Sequence, residues 1–216
     1  MITGPEVDAY VASLIPARSA LLTRLEQEAV DEHIPIVQLA TAQMIRMWLI
    51  AYKPTSILEV GTAIGYSTIW LAEAAPQARI VTLEIDENRA SRARANITEA
   101  GVDDRVEVIV GDATAGLPDH GTFDCLFIDA AKGQYRTFLD QYLPLVNEGG
   151  LLIVDNVLFR GLVTDPDQAG KRLRPMVEKI RDFNRYLAEH PQLETTFVPI
   201  GDGVAVSIKK HSDRDS

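Results

Sequence analysis

Residues 56–67 (SILEVGTAIGYS) place the strongest constraint on the fold of this 216-residue chain. The segment starts as a short apolar run that reaches an acid at Glu59, and it continues through Gly61 and Gly65 into a helix-forming stretch. A buried parallel strand is continuously apolar, and glycines just beyond it let the backbone turn tightly and approach a ligand. The segment therefore predicts the first strand, turn and helix of a doubly wound α/β sheet, where such folds bind nucleotide-like cofactors.

The glycine spacing and the acid before it narrow the choice of cofactor. The glycines follow the pattern G-x-x-x-G, whereas the dinucleotide fingerprint is G-x-G-x-x-G. Glu59 at the strand end would repel a pyrophosphate, but it suits a cationic aminoacyl group that carries an amine and a sulfonium. We therefore expect S-adenosyl-L-methionine, called adenosylmethionine below, in preference to NAD.

Strand-like and helix-like segments alternate from residue 55 onward, which is typical of a parallel α/β sheet. The string GDG at 201–203 indicates an antiparallel hairpin at the end of that sheet. Strands are predicted at 56–60, 79–85, 106–110, 123–129, 151–154, 194–200 and 204–209. Helices are predicted at 5–33, 38–52, 67–75, 87–100, 135–146 and 175–190, with a short one near Ala113. The expected fold class is α/β: a Rossmann-like doubly wound seven-stranded sheet, mostly parallel with a C-terminal antiparallel hairpin, plus N-terminal helices.

Length and composition limit the organisation of the chain and its partners. One domain is expected over 1–216, with an N-terminal helical cap at 1–54 and a frayed polar tail at 211–216. The formal net charge of -10 disfavours nonspecific binding to nucleic acid or to anionic membranes. The N-terminus lacks the basic segment and apolar run of a secretory signal peptide. The single cysteine, Cys125, excludes an intrachain disulfide and is expected to be an inert core residue. These features predict a cytoplasmic protein with no membrane partner.

Two further strand ends carry residues that suit a bound nucleoside. Glu84 closes the second strand about twenty residues past the glycine turn, where an acid can accept hydrogen bonds from both ribose hydroxyls. Asp112 and Ala113 follow the third strand, and their short polar turn is expected to meet the adenine. The alternative for both places is an exposed strand-end acid without a ligand.

A second group of polar residues follows two consecutive core strands. Asp129 ends the strand CLFID, whereas Asp155 and Asn156 end the strand LLIVDN. If these strands are neighbours, three oxygen ligands converge at the carboxyl edge of the sheet. Oxygen ligands alone suit a hard divalent cation, Mg²⁺ or else Mn²⁺ or Ca²⁺, and do not suit zinc. Solvated loop acids are the alternative.

Three strings then identify a family. LEVGTAIGYS (58–67), FIDAAK (127–132) and DNV (155–157) resemble the metal-dependent class I O-methyltransferases, which include catechol and caffeoyl-CoA O-methyltransferases. The resemblance implies that Asp129, Asp155 and Asn156 bind the metal. It also implies that Lys132 lies beside the acceptor hydroxyl, either as a base or as an electrostatic helper. The positions that the resemblance assigns to adenosylmethionine are Val37, Glu59, Gly61, Thr62, Ser67, Glu84, Ala113 and Asp129.

Other strings resemble one group of these enzymes more closely. DAAKGQY (129–135), DNVLFRG (155–161) and residues 173–209 are similar to the bacterial tRNA 5-hydroxyuridine methyltransferases, which make 5-methoxyuridine at the anticodon wobble base. The C5 hydroxyl and C4 carbonyl of that base form a vicinal oxygen pair, as the two hydroxyls of a catechol do. One metal can chelate either pair, so the resemblance implies a tRNA anticodon stem-loop as the acceptor and leaves a small catechol as the alternative.

A tRNA acceptor requires a cationic surface on an acidic protein. Arg160 follows the predicted metal turn, and Arg174 and Arg185 lie on one face of the predicted helix 175–190 or just before it. The alternative for the helix is an ordinary solvated face. Three hypotheses result: a tRNA methyltransferase, a small-molecule catechol-type methyltransferase, and a noncatalytic nucleotide-binding module, against which the intact metal residues argue. Relatives of the first kind form homodimers, so a homodimer is expected.

Overall fold

The computed structural model describes residues 4–117 and 119–212. The chain divides into two compact units, Met1–Ala113 and Thr114–Ser216. Each unit contains parallel strands with helices around them. The prediction of one domain over 1–216 stays a prediction.

The first unit contains three parallel strands in the order β3-β2-β1. The strands are β1 (Ser56–Val60), β2 (Arg79–Glu84) and β3 (Val106–Val110), and the helices are α1 (Pro5–Ser13), α2 (Ala20–Asp31), α3 (Leu39–Tyr52), α4 (Tyr66–Ala74) and α5 (Glu87–Glu99). All three strands and the turn between β1 and α4 were predicted, with boundaries that agree within two residues. Four of the five residues of β1 are buried, as its apolar run predicts.

The prediction of one long helix over 5–33 is wrong. Residues 14–19 separate α1 from α2, and Pro16 in this segment lacks the N–H that a continuous helix needs. Ser19 then begins α2, because its hydroxyl oxygen accepts a hydrogen bond from the backbone N–H of Leu22 at 3.2 Å. The apolar spacing over 21–29 belongs to α2 alone.

The second unit contains four strands in the order β4-β5-β7-β6. They are β4 (Phe123–Ile128), β5 (Val146–Val154), β6 (Leu193–Val198) and β7 (Val204–Lys209), and the helices are α6 (Tyr135–Tyr142) and α7 (Gly170–Ala188). β4 and β5 pair in parallel, whereas β7 pairs antiparallel with both β5 and β6. The predicted fold class is therefore confirmed: a seven-stranded, mostly parallel sheet with a C-terminal antiparallel hairpin and flanking helices.

Three predicted boundaries in this unit are wrong by more than two residues, and a proline lies near each of them. The helix predicted to run to residue 146 ends at Tyr142, and a 3₁₀ turn with Pro144 leads into β5, which begins five residues earlier than predicted. α7 begins at Gly170 instead of Pro175. Pro175 lies in the second turn of α7, where its missing N–H removes only the bond to the carbonyl of Lys171.

The apolar stripe predicted for α7 packs into the core of the second unit. Four side chains on this stripe are buried, and the partly buried Met176 lies against the same cluster as Val177 and Ile180. The buried positions are Val177, Ile180, Phe183 and Leu187. Cys125 is also fully buried, and burial raises the pKa of its thiol, which fits the inert role predicted for it.

Exposed apolar side chains are concentrated on α1. Tyr10 is 65% exposed, and Leu14 just after the helix is 63% exposed. An apolar face of this kind is compatible with a subunit contact, but the homodimer stays a prediction. None of the helices in the part of the chain that the structure describes has the length and apolarity needed to cross a bilayer. His211 and Ser212 of the predicted tail contact Glu148, and 213–216 lie outside the described residues.

Candidate active site

The turn between β1 and α4 requires both of its glycines. Gly61 has φ +110° and Gly65 has φ +85°, a region that other residues rarely occupy. A Cβ atom on Gly65 would also lie 3.3 Å from the Cα of Ala93, so α5 packs directly against the turn. The backbone amides of Gly61 and Thr62 donate hydrogen bonds to the carbonyl of Leu83 at 3.0 and 3.1 Å. This turn is therefore fixed to the end of β2.

Glu59 is fully buried at the end of β1, and hydroxyl groups surround its carboxylate. Ser67 and Thr82 each donate a hydrogen bond to it at 2.6 Å, and Thr68 donates another. The hydroxyls of Thr62 and Thr82 lie 2.6 Å apart. These bonds hold the charge of Glu59 in one orientation behind the glycine turn. They also join three predicted cofactor residues with Thr68 and Thr82, which the sequence analysis missed.

Glu84 connects the three strand ends of the first unit. Its carboxylate accepts hydrogen bonds from the backbone amide of Ala63 at 2.8 Å and of Asp86 at 3.0 Å. Its backbone carbonyl accepts a hydrogen bond from the amide of Gly111 at 2.9 Å. Gly111 is followed in the chain by Asp112, which is exposed, and Ala113, which is half-buried. Val37 is buried just before α3, so only its main chain could meet a polar cofactor. The predicted cofactor residues other than Val37 and Asp129 thus lie at the ends of the three strands, in the turns that follow them or in the first turn of α4.

We expect a Glu84→Gln substitution to weaken the binding of adenosylmethionine by about 1–3 kcal/mol, because the ribose hydroxyls lose a charged acceptor. Calorimetry with the purified protein measures this change. Glu87→Gln, at an exposed acid in the first turn of α5, is the matched control. An unchanged affinity in the Glu84 variant would show that Glu84 only supports the turn through Ala63 and Asp86.

Asp129 and Asp155 lie side by side in the second unit. Ile128 and Val154 are paired residues of the parallel strands β4 and β5, so the next residue on each strand leaves the same edge. The backbone amide of Asp155 donates to the carbonyl of Ile128 at 3.0 Å, which continues this pairing. The predicted metal site requires β4 and β5 to be neighbours, and they are.

The surroundings of these two acids oppose their ionisation. Burial raises the pKa of Asp155 to about 8, and the negative charge of Asp129 acts in the same direction. Burial also raises the pKa of Asp129, against which the positive charge of Lys132 acts. Two acids with one neighbouring lysine leave uncompensated negative charge when both ionise, and a divalent cation would neutralise it. The predicted donors are two carboxylates and one amide. The described residues contain no group of three or more acids, histidines or cysteines that could hold a metal ion.

Two residues that the sequence analysis missed hold the chain after β5. The hydroxyl of Tyr135 is buried and donates to the backbone carbonyl of Asp155 at 2.8 Å. The side-chain amide of Asn184 donates to the carbonyl of Val157 at 2.6 Å. Asn156 between them has φ +61°, a conformation that asparagine tolerates better than most residues. No sequence signal distinguishes Tyr135 or Asn184, because their roles depend on how α6 and α7 pack.

Known O-methyltransferases resemble this chain over most of its length. The sequence model of the O-methyltransferase family matches residues 13–210. The chain belongs to this family. It is 34% identical over 200 residues to a catechol O-methyltransferase of Mycobacterium tuberculosis, covering 90% of this chain and 88% of that protein. It is 33% identical over 217 residues to a catechol O-methyltransferase of Niastella koreensis, covering 94% and 96%.

A solved structure extends the similarity to three dimensions. The O-methyltransferase from Bacillus cereus in complex with SAH superposes with a TM-score of 0.83 at 32% identity, covering 95% of this chain and 97% of that chain. The similarity to this family therefore covers nearly the whole sequence, including the glycine turn and the pair of acids.

The three arginines predicted to meet the acceptor have different surroundings. Arg160 is exposed on the loop that follows Asn156. Arg174 is exposed but forms ion pairs with Asp167 at 2.7 Å and with Glu178 at 2.8 Å. Arg174 and Arg185 line one groove. Its lining holds three arginines and three acids: Pro166, Asp167, Arg174, Glu178, Arg181, Asp182 and Arg185. The groove as a whole is close to neutral, which weakens the case for Arg174 as a phosphate contact.

Proposed function

We propose that this O-methyltransferase transfers the methyl group of adenosylmethionine to one oxygen of a vicinal oxygen pair on a small catechol-type acceptor. The observation that carries the proposal is the pair of neighbouring acids, Asp129 and Asp155, at the carboxyl edge of β4 and β5. A catechol is the first choice of acceptor because two relatives that cover most of this chain are catechol O-methyltransferases.

Adenosylmethionine is supported by the first unit and by one relative. The Bacillus cereus protein binds SAH, which is what adenosylmethionine becomes after it gives up its methyl group. In this chain Glu59 offers a buried negative charge behind the glycine turn, where the amine and sulfonium of the cofactor would be favoured. Glu84 offers a carboxylate at the place where a ribose is held in this type of fold.

A divalent metal fits the second unit. Asp129, Asp155 and Asn156 would hold it through oxygen atoms, as Mg²⁺, Mn²⁺ and Ca²⁺ require. When bound, such an ion would supply a Lewis acid for a vicinal oxygen pair and would lower the pKa of the hydroxyl that is methylated. Hydrogen bonds from Tyr135 and from the amide of Asn156 fix the backbone and side chain of Asp155 for this purpose.

The protein contributes position and charge to the reaction. The acceptor hydroxyl gives its proton to solvent, and its oxygen attacks the sulfonium methyl in line, so that an O–C bond forms as the C–S bond breaks and SAH leaves. Lys132 lies three residues beyond Asp129, and we propose that its ammonium stabilises the negative charge on the acceptor oxygen. No covalent bond to the enzyme is needed.

The test compares catechol with phenol, which lacks the second oxygen. With adenosylmethionine and Mg²⁺, we expect methylation of catechol and at least about 100-fold less of phenol, because one oxygen cannot be chelated. Mass spectrometry of the products measures both rates, and excess chelator should abolish the first. Equal rates with both acceptors, or turnover in chelator, would contradict the proposal.

The second candidate acceptor is 5-hydroxyuridine in a tRNA anticodon loop, which has the same vicinal oxygens. Exposed cations support it: Arg160 on its loop, and Arg181 and Arg185, which form no ion pair among the residues the structure describes. Such side chains contact phosphates in RNA complexes. The paired Arg174 adds little to this support.

If tRNA is the acceptor, the double variant Arg181→Glu and Arg185→Glu should raise the KM for hydroxyuridine-containing tRNA and lower its salt slope by about two, one for each lost phosphate contact. Methylation of catechol should not change. Arg79→Glu, at an exposed arginine on β2, is the matched control. If wild-type protein methylates catechol rapidly and hydroxyuridine-containing tRNA not at all, this second candidate is excluded.

A further inference from the structure

The loop after Asn156 has an unusual backbone. Phe159, Arg160 and Gly161 have φ +42°, +56° and +76°, so three consecutive residues are left-handed. For residues other than glycine this conformation is unfavourable and persists only where surrounding structure imposes it. The turn 158–161 begins two residues after Asn156. The contacts that hold this turn therefore lie close in the chain to the proposed metal ligands.

The loop between β6 and β7 holds this turn, and Asp202 makes most of the bonds. The backbone carbonyl of Asp202 accepts from the amides of Leu158 at 2.9 Å and Phe159 at 3.1 Å. Its carboxylate accepts from the amide of Arg160 at 3.3 Å. One residue thus satisfies three consecutive amides of a turn whose own conformation cannot do so.

Gly203 allows the two loops to approach each other. Its carbonyl accepts a hydrogen bond from the amide of Val157 at 3.0 Å. It has φ +84°, and a Cβ atom at this position would overlap the side chain of Leu158. The string GDG at 201–203 therefore does more than turn a hairpin, because its aspartate and second glycine are shaped to the loop after β5.

The charge of Asp202 also reaches the proposed metal residues. It is among the charges that raise the pKa of Asp155 and of Tyr135, although burial is the larger cause for both. Asp202 is partly buried. The carboxylate of Asp202 can act on Asp155 in two ways, by orienting the turn 158–161 and by its negative charge. These two effects predict different results for an Asp202→Asn variant.

We propose that Asp202 is a positioning residue for the acceptor end of the active site: it fixes the turn 158–161, which follows Asn156 in the chain and has Arg160 at its tip. Through that turn it sets the affinity for the divalent metal and the KM for the acceptor, but not the affinity for adenosylmethionine. The acceptor part rests on the proposed function, whereas the metal part requires no turnover.

The experiment compares Asp202→Ala with Asp202→Asn. The alanine variant removes only the side-chain bond to the amide of Arg160 and keeps the two bonds to the backbone carbonyl, whereas the amide oxygen of asparagine can still accept the bond from Arg160. Calorimetry with Mn²⁺ on the apo protein should show binding weakened by on the order of tenfold in the alanine variant, the usual size for an outer-shell residue. The KM for catechol should rise by a similar factor, and the Kd for adenosylmethionine should stay within about twofold. The asparagine variant should stay near wild type. Asp165→Ala is the matched control, because Asp165 also accepts a backbone amide at the start of a short turn in this unit.

Each contrary result has a distinct meaning. Wild-type Mn²⁺ affinity in Asp202→Ala would overturn the proposal. Equal defects in the alanine and asparagine variants would show that Asp202 acts through its charge and not by positioning the turn. This result would also overturn the proposal. A variant that loses adenosylmethionine binding and thermal stability together would make Asp202 merely structural. If wild-type protein methylates no acceptor, the proposed function fails, but the Mn²⁺ measurement still decides the role of Asp202.

Discussion

An Asp155→Ala variant is expected to lose methylation of catechol by on the order of 10³-fold. A metal contributes several kcal/mol to the stabilisation of charge in a reaction of this kind, and about 4 kcal/mol corresponds to this factor. Asp155 is 1% exposed, and its carboxylate accepts a hydrogen bond from the amide of Asn156 at 2.7 Å. Initial rates at saturating adenosylmethionine and Mg²⁺ measure the loss.

Two further variants make this result specific. Asp155→Asn keeps an acceptor for the amide of Asn156 but removes the charge, and we expect it to be nearly as inactive as the alanine variant. Glu194→Gln, on an exposed acid of β6, should keep full activity. Adenosylmethionine affinity should not change in any of the three. Full activity of Asp155→Ala in excess chelator would exclude a metal at this place.

The residues that sequence could locate are those fixed by strand geometry. Asp129 and Asp155 end consecutive apolar strands, and parallel neighbours bring such ends to one edge, so their juxtaposition could be predicted before the structure was known. The glycine turn and Glu59 could also be predicted, because a buried strand and the turn after it are local in sequence. The ion pair of Arg174 with Glu178 could also have been anticipated from their i,i+4 spacing.

What sequence could not supply depends on packing between distant elements. Thr82 donates to Glu59 across two strands, and Asp202 reaches the turn at 158–161 from another loop. Thr82 belongs to no local pattern that marks it, and the string GDG at 201–203 marks Asp202 only as part of a hairpin turn. The pairing of Arg174 with Asp167 is similar, because it depends on how the segment before α7 folds back on that helix. Supporting residues of a site are therefore recognised only after its framework is known.

A Lys132→Met variant is expected to lose methyl transfer by roughly 10²-fold or more, which is the size typical of a group that handles a proton or stabilises charge in the transition state. Lys132 is partly buried at the start of a 3₁₀ turn, three residues after Asp129. Its positive charge opposes the burial that raises the pKa of Asp129 and Asp155, so it lies within electrostatic reach of the two acids. Single-turnover rates at saturating cofactor separate this loss from weaker binding.

Lys132→Arg then distinguishes charge from proton transfer. Arginine keeps the positive charge but does not deprotonate in proteins, so it can replace an electrostatic helper and cannot replace a base. We expect the arginine variant to retain activity within about tenfold of wild type, because the proposed role of Lys132 is to stabilise the acceptor oxygen. Lys171→Met, on an exposed lysine of α7, is the matched control and should be fully active. If Lys132→Arg is as inactive as Lys132→Met while both bind Mn²⁺ and adenosylmethionine normally, Lys132 is the base that takes the proton of the acceptor.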